Sequence, residues 1–190
     1  MTQAPDIRQL PDEDLMLLVA NGVIEHPATE LFRRHNRALY NFMAWMCQGN
    51  SHEAEDVTQK TWIKIMSKSA AYQPSAAFRT YLYHIAHNTW LDGRTQHFET
   101  QRETLDETAE IASEALSPET EWQLKQNLQL VRQALMQLPS VQREVIVLRF
   151  FNEMSLEEIA LAIGEGFETV KSRLRYAYSK LRRELESSHA

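Results

Sequence analysis

Apolar residues recur along this chain every three or four positions, and no stretch sustains the two-residue alternation of a half-buried strand. The pattern predicts an all-α fold. Four helical stretches precede a long acidic segment and three follow it, the last of them hinged at Gly164-Glu165-Gly166. A first helix opens at Asp12 to Asp14, whose carboxylates suit the positive end of a helix dipole. It buries Leu15, Leu18 and Val19 and stops at Asn21-Gly22. A second, from about Ala28 to Met46, carries Leu31, Phe32, Leu39, Phe42 and Trp45 as a buried stripe. After Gly49, Asn50 caps a third helix with Glu53 placed to reciprocate, and Val57, Trp62, Ile63 and Met66 are its core residues up to about Ser67. The loop from Ala71 to Ser75 leads to a fourth helix between about Ala76 and Arg94. Beyond the acidic segment the spacing predicts a helix from about Glu119 to Leu138, a restart at Pro139-Ser140, and a helix to about Phe150.

A chain of 190 residues has room for two small domains, and 5 Gly and 6 Pro are too few for a turn-rich β fold. The net charge of −6 conceals a division along the chain. Residues 1–94 hold 9 basic and 10 acidic side chains, residues 95–121 hold 1 and 8, and residues 122–190 hold 10 and 8. The middle stretch is acidic, poor in large apolar residues and interrupted by Pro118, which predicts a linker. The expected domains are therefore 1–95 and 122–190, joined by an acidic linker over 96–121. Cys47, the one cysteine, stands in an apolar run and is expected to be a small buried hydrophobe. It has no partner for an internal disulfide, the N-terminus lacks a charged-then-apolar leader, and no apolar run approaches the roughly 20 residues that span a bilayer. The expected location is the cytoplasm.

Ser155-Leu156-Glu157-Glu158 has the spacing of a capping box, the serine satisfying a first-turn amide and Glu158 reaching back to the cap. A helix of barely two turns follows with Ile159, Ala160 and Ile163 on its apolar face, Gly164 and Gly166 permit a sharp turn, and Glu168-Thr169 opens a longer helix. That is a helix-turn-helix layout. On the final helix Val170, Leu174, Ala177, Leu181 and Leu185 share one face, while Lys171, Arg173, Arg175, Lys180, Arg182 and Arg183 fall away from it. Such a cationic surface suits phosphates and base edges in a major groove; a solvated amphipathic helix is the plainer alternative. On the fourth helix Phe78, Leu82, Ile85 and Thr89 point inward, and Arg79, Tyr83, His87, Trp90 and Arg94 form an outward stripe of rings and cations that suits single-stranded DNA. His84 and His87 are one turn apart but lack a third and fourth ligand at sensible spacing, so no metal is expected.

Two ordered sets of these motifs are similar to a known family. Leu138-Pro139, Arg143-Glu144-Val145, Leu148-Arg149, Met154 to Ala160 and Thr169 to Leu174 resemble region 4 of extracytoplasmic-function RNA polymerase sigma factors. Glu53 to Trp62 resembles their region 2.2, and Phe78 to Asn88 their regions 2.3 and 2.4. The chain departs from the family's habit at Tyr81, Gly166 and Glu168, where Trp, Pro and Gly are usual. The resemblance implies a protein that is not an enzyme and needs no cofactor, which binds core RNA polymerase, directs it to promoter DNA and promotes melting. It implies docking of Glu55, Asp56, Gln59 and Trp62 on the coiled coil of the largest polymerase subunit. It assigns minus-10 DNA contacts to Tyr72, Phe78, Arg79, Tyr83, His87, Asn88 and Arg94, and minus-35 contacts to Glu168, Thr169, Lys171, Ser172, Arg173 and Arg175. An anti-sigma factor is implied as a further partner. The acidic linker then threads the polymerase cleft and mimics RNA, or serves only as a solvated tether. Without the resemblance, Glu55 and Asp56 read as solvated surface, and the helix-turn-helix also fits a stand-alone transcriptional regulator. A metal-binding helical bundle around His84, His87 and Cys47 is a third reading. No GxxxxGK[ST] or GxSxG motif is present.

Overall fold

The computed structural model describes residues 6–97 and 129–187, with side chains through Arg94 in the first block and Glu184 in the second. Its helices are α1 (Asp12–Ala20), α2 (Glu25–Met46), α3 (Ser51–Ser67), α4 (Phe78–His97), α5 (residues 129–136), α6 (Ser140–Phe150), α7 (Leu156–Ile163) and α8 (Phe167–Ser187). Short 3-10 turns cover Ile7–Gln9 and Ser69–Ala71. Among the described residues no strand occurs, as the periodicity predicts. The acidic linker and the predicted helix start near Glu119 lie outside the described residues.

Helices α1 to α4 pack into one bundle, with Leu15, Met16, Leu31, Leu39, Phe42, Met43, Ile65, Phe78 and Leu82 essentially inaccessible to water. Each such side chain stabilises the fold by about 1.5–3 kcal/mol relative to exposure. Two predicted core residues lie outside: Phe32 is 48% exposed and Ile63 66%. On α3 the buried seam runs through Ala54, Val57, Thr58, Thr61 and Ile65, which puts Ile63 on the opposite side. The threonines belong there because their hydroxyls donate to the carbonyls of Ala54 and Val57 at 2.6 and 2.7 Å, so no polar group is left unpaired. Asn50 does cap α3, accepting from the Glu53 amide at 3.1 Å, but the Glu53 side chain lies against the Cys47 thiol instead of returning to the cap. Cys47 is buried as expected, and burial followed by Glu53 pushes its thiol above the ordinary range.

Helices α5 to α8 form the second bundle, centred on Leu135, Val145, Val147, Leu148, Met154, Ile159 and Val170. The capping box is complete: Ser155 Oγ accepts from the Glu158 amide at 3.1 Å, and Glu158 Oε2 accepts from the Ser155 amide at 2.8 Å. Of the two hinge glycines only Gly164 is left-handed, at φ 67°, ending α7. Gly166 keeps an ordinary backbone and a Cβ there meets only Thr169 Oγ1 at 3.8 Å, so a residue other than glycine fits. On α8, Val170 and Ala177 are fully buried and Leu174 and Leu181 partly so. The two bundles meet along α4 and α7, and again at α2 and α6.

Candidate nucleic-acid and polymerase interfaces

The recognition helix α8 is anchored through its apolar seam, which turns Glu168, Thr169, Lys171 and Arg175 outward and leaves Ser172 and Arg173 half-buried at the edge. Arg173 is held: its Nη2 donates to Glu165 Oε1 in the hinge turn at 2.6 Å. Lys171 Nζ lies 3.7 Å from Glu168, and the Arg175 guanidinium covers the Tyr176 ring at 5.2 Å. All six minus-35 candidates thus occupy one end of α8 next to the hinge. Further along, Lys180 donates to the Gln137 carbonyl at 2.7 Å and ties α8 back to the end of α5.

On α3, Glu55, Asp56 and Gln59 are exposed on one face, with Asp56 accepting from Lys60 at 2.6 Å one turn on. Trp62 differs. Its ring is buried, its Nε1 donates to Asn36 Oδ1 at 3.0 Å, and it packs against Phe32 with centroids 5.4 Å apart. It therefore supports this face from beneath, and the apolar residues standing open beside it are Phe32 and Ile63.

The start of α4 is set by a carboxylate 65 residues away: Glu13 Oε1 accepts from the Phe78 amide at 2.6 Å. This cap from α1 explains why α4 begins at Phe78 and not near Ala76. Tyr72, Phe78 and Tyr81 form an aromatic cluster under the loop, with Tyr72 and Tyr81 centroids 5.1 Å apart. Tyr72 is buried, its hydroxyl has no partner, and burial together with Glu13 pushes its pKa up to about 12. Gln73, Pro74, Ser75 and Asn88 are exposed.

The aromatic and histidine members of the predicted outward stripe of α4 do not face solvent, while the Arg79 side chain stays 38% exposed. Tyr83 and Trp90 are each 4% exposed and the His87 side chain 13%. Tyr83 packs edge-on against Phe42 of α2 within its own bundle, with ring centroids 5.2 Å apart, and the second bundle covers much of the remaining face. Arg79 donates from Nε and Nη2 to the Glu158 carboxylate at 2.7–3.1 Å. The Tyr83 hydroxyl donates to Asn152 Oδ1, His84 Nδ1 to the Ala162 carbonyl at 3.0 Å, and His87 Nδ1 to Glu144 Oε1 at 2.6 Å. Arg94, stacked 5.0 Å over Trp90, reaches Ser140 Oγ at 3.3 Å. Asn88 Nδ2 lies 3.1 Å from His84 Nε2, one turn back on α4. Burial pushes the Glu158 carboxyl up, but hydrogen bonds from Arg79 and the Ser155 amide outweigh it and hold the group below its usual range. Burial pushes the Tyr83 phenol up. Both His84 and His87 are engaged in this contact, and among the described residues no group of three or more His, Cys, Asp or Glu is placed to hold a metal ion.

Sequence inspection missed the roles of Arg143 and Glu144, each 1% exposed. Glu144 is the buried acceptor for His87. Arg143 donates to the Met136 carbonyl at 3.2 Å while its Nε has no partner, and burial followed by Arg94 lowers its pKa. The one available signal was two charges set directly before the apolar run Val145 to Leu148.

Comparison with known proteins places these features in a class. Residues 31–99 match the family model described as Sigma-70 region 2, and residues 134–183 match Sigma-70, region 4. The RNA polymerase sigma factor NccH of Alcaligenes xylosoxydans xylosoxydans is 30% identical over 181 residues, covering 93% of this chain and 96% of that protein. The ECF RNA polymerase sigma factor SigE of Mycolicibacterium smegmatis is 32% identical over 154 residues, and the match covers 80% of this chain and 59% of SigE. Among solved structures, CnrH in complex with the cytosolic domain of CnrY superposes with TM-score 0.68 at 24% identity, covering 93% of this chain and 97% of that one. The sigma factor RpoE in complex with the anti-sigma factor NepR from Bartonella quintana gives 0.67 at 23% identity, covering 83% and 96%. The fold is that of a two-region, all-helical sigma factor. The chain belongs to the sigma-70 family of RNA polymerase sigma factors, and it is similar to members named as extracytoplasmic-function sigma factors.

Proposed function

We propose that this chain binds core RNA polymerase through the exposed face of α3, reads the minus-35 element with the first turns of α8, and captures the melted minus-10 strand with α4 and the loop before it. The observation that carries this reading is the capped helix-turn-helix, with the cations of α8 turned away from its packed seam, in a chain whose two halves match regions 2 and 4. Region 2 occupies residues 1–95 and region 4 residues 122–190, with 96–121 as an acidic linker. The protein works in the cytoplasm, where its polymerase is, under the control of an anti-sigma factor; no helix among the described residues is long and apolar enough to cross a membrane.

The two DNA-reading surfaces call for different chemistry, and that difference is the test. Arg173→Ala weakens closed-complex formation and its minus-35 preference, a lost base contact costing about 1–3 kcal/mol. Asn88→Ala leaves duplex binding intact and reduces permanganate-reactive open complex, because base capture acts only on exposed bases. A pre-melted bubble template rescues the second class in run-off transcription and not the first. Equal rescue of both, or of neither, overturns the assignment.

A further inference from the structure

The loop that precedes α4 is held at both ends by groups outside it. At its start the buried Tyr72 ring packs against Phe78 and Tyr81, following a turn (Ser69–Ala71) that rests on α1. At its end stands the Phe78 amide, which donates to Glu13 Oε1 at 2.6 Å. Between these points Gln73, Pro74, Ser75 and Ala77 are exposed, and the Ser75 amide donates to the Gln73 carbonyl at 2.8 Å. The Ala77 carbonyl receives the first bonds of α4, from the Thr80 amide at 2.9 Å and the Tyr81 amide at 3.4 Å, yet Ala77 has no side-chain oxygen with which to cap the helix. Glu13 supplies the missing acceptor and sets a negative charge at the positive end of the α4 dipole. The carboxylate is itself fixed from behind. Asp12, the residue before it, accepts from Arg34 at 2.8 Å and lies 2.7 Å from His35 Nε2, and the His35 ring meets the Phe78 ring at 5.3 Å. Phe78 is thus met at its ring by α2 and at its amide by α1. Helix α1 lies ahead of residues 31–99, so the match to region 2 gives it no role.

We propose that Glu13 is a positioning residue for strand capture, holding the Phe78 amide so that α4 begins at Phe78 and the exposed loop before it presents a fixed edge to the melted minus-10 strand. This rests on the assignment of strand capture to α4 and its loop. Without the carboxylate the first turn of α4 keeps an unsatisfied amide and frays. The loop then loses its register with Asn88, which is exposed about three turns further along the same helix. Base capture needs both at once, so the loss falls on melting, while duplex reading by α8 and polymerase docking by α3 are spared.

The test assembles holoenzyme from the full chain carrying Glu13→Ala, Glu13→Gln or Asn88→Ala, and measures affinity for core polymerase, closed-complex formation and permanganate-reactive open complex. Glu13→Ala is expected to assemble and to form closed complex as the wild type does, and to give about fivefold less open complex, the scale set by the loss of one helix cap. Glu13→Gln keeps an oxygen acceptor at the same reach and retains most of the activity. Adding Ala77→Ser to Glu13→Ala caps α4 from its own sequence, at an exposed position with room for the hydroxyl, and restores open complex. A role of Glu13 confined to the packing of α1 predicts no such recovery. Should Glu13→Ala lose its helical signal, Glu13→Asp takes its place with the same expected outcomes, since it keeps the charge but falls one methylene short of the amide. Open complex at the wild-type level in a folded Glu13→Ala, with Asn88→Ala impaired, overturns the proposal, and so does a loss that Ala77→Ser leaves uncorrected. If neither Glu13→Ala nor Asn88→Ala lowers open complex, strand capture by α4 is the assignment that fails, and the positioning role falls with it.

Discussion

Glu30 is the centre of an ionic knot that ties the N-terminal segment to α2. It accepts from Arg33 at 2.7 and 2.8 Å and from Arg34 at 2.7 Å, and Arg34 also donates to Asp12 and to the carbonyls of Leu10 and Arg8, each at 2.8 Å. His35 joins at Asp12, 2.7 Å away. Hydrogen bonds from Arg33 and Arg34 hold the Glu30 carboxyl at about 2, against its ordinary 4.5. Burial pushes Asp12 up, but the bonds from His35 and Arg34 outweigh it and leave the group below its ordinary 3.8. A carboxyl whose folded pKa is depressed binds its proton more readily in the unfolded chain, so its contribution is full above about pH 4.5 and is lost as pH falls toward about 2. Urea unfolding between pH 7 and pH 3 is expected to show stability falling over the acid half of that range, and Glu30→Gln to flatten the fall. An unaltered slope in the variant means the knot carries no linkage. None of this is visible along the chain, where Glu30, Arg33 and Arg34 resemble any solvated helix face.

At the scale of the element, α7 is the piece whose limits are most local. Ser155 and Glu158 start it and the left-handed Gly164 stops it, all within ten residues. Gly164→Ala therefore forces an L side chain into a left-handed backbone and is expected to cost about 1–2 kcal/mol in thermal or urea unfolding. Gly166→Ala is expected to be neutral or slightly stabilising, because its backbone is ordinary and the space for a Cβ is open. Equal losses at both positions contradict this account of the turn. Limits of this kind were legible in the sequence because caps and glycine conformations act over a few residues. The start of α4 was not legible, since its cap comes from Glu13 in another helix. Nor was the seam of α3, where two threonines pass into the core by bonding to their own backbone.

At the scale of the whole molecule, the polymerase-facing candidates are separated from the junction between the bundles. Glu55, Asp56 and Gln59 are exposed on α3 and take no part in the contact of α4 with α7. Changing Asp56 and Gln59 together to Ala is expected to impair holoenzyme assembly while thermal stability stays near wild type, since the Asp56–Lys60 pair is open to solvent and contributes little. Undiminished assembly, measured by native gel or interferometry, moves the docking face elsewhere. The all-helical architecture, the helix-turn-helix and the family were determined by the sequence alone, because periodicity, caps and motif order are properties of neighbouring residues. The fate of the α4 stripe was decided only in three dimensions. Its wheel holds for Phe78 and Leu82, which do point into the first core, and fails for Tyr83, whose ring meets Phe42 there. But burial is a sum over everything that packs against a side chain, and the groups covering Arg79, Tyr83 and His87 come from 57 to 79 residues further along. No pattern within one helix carries that information, so only the folded chain could bring Glu144, Asn152 and Glu158 to the face that the sequence had left to solvent.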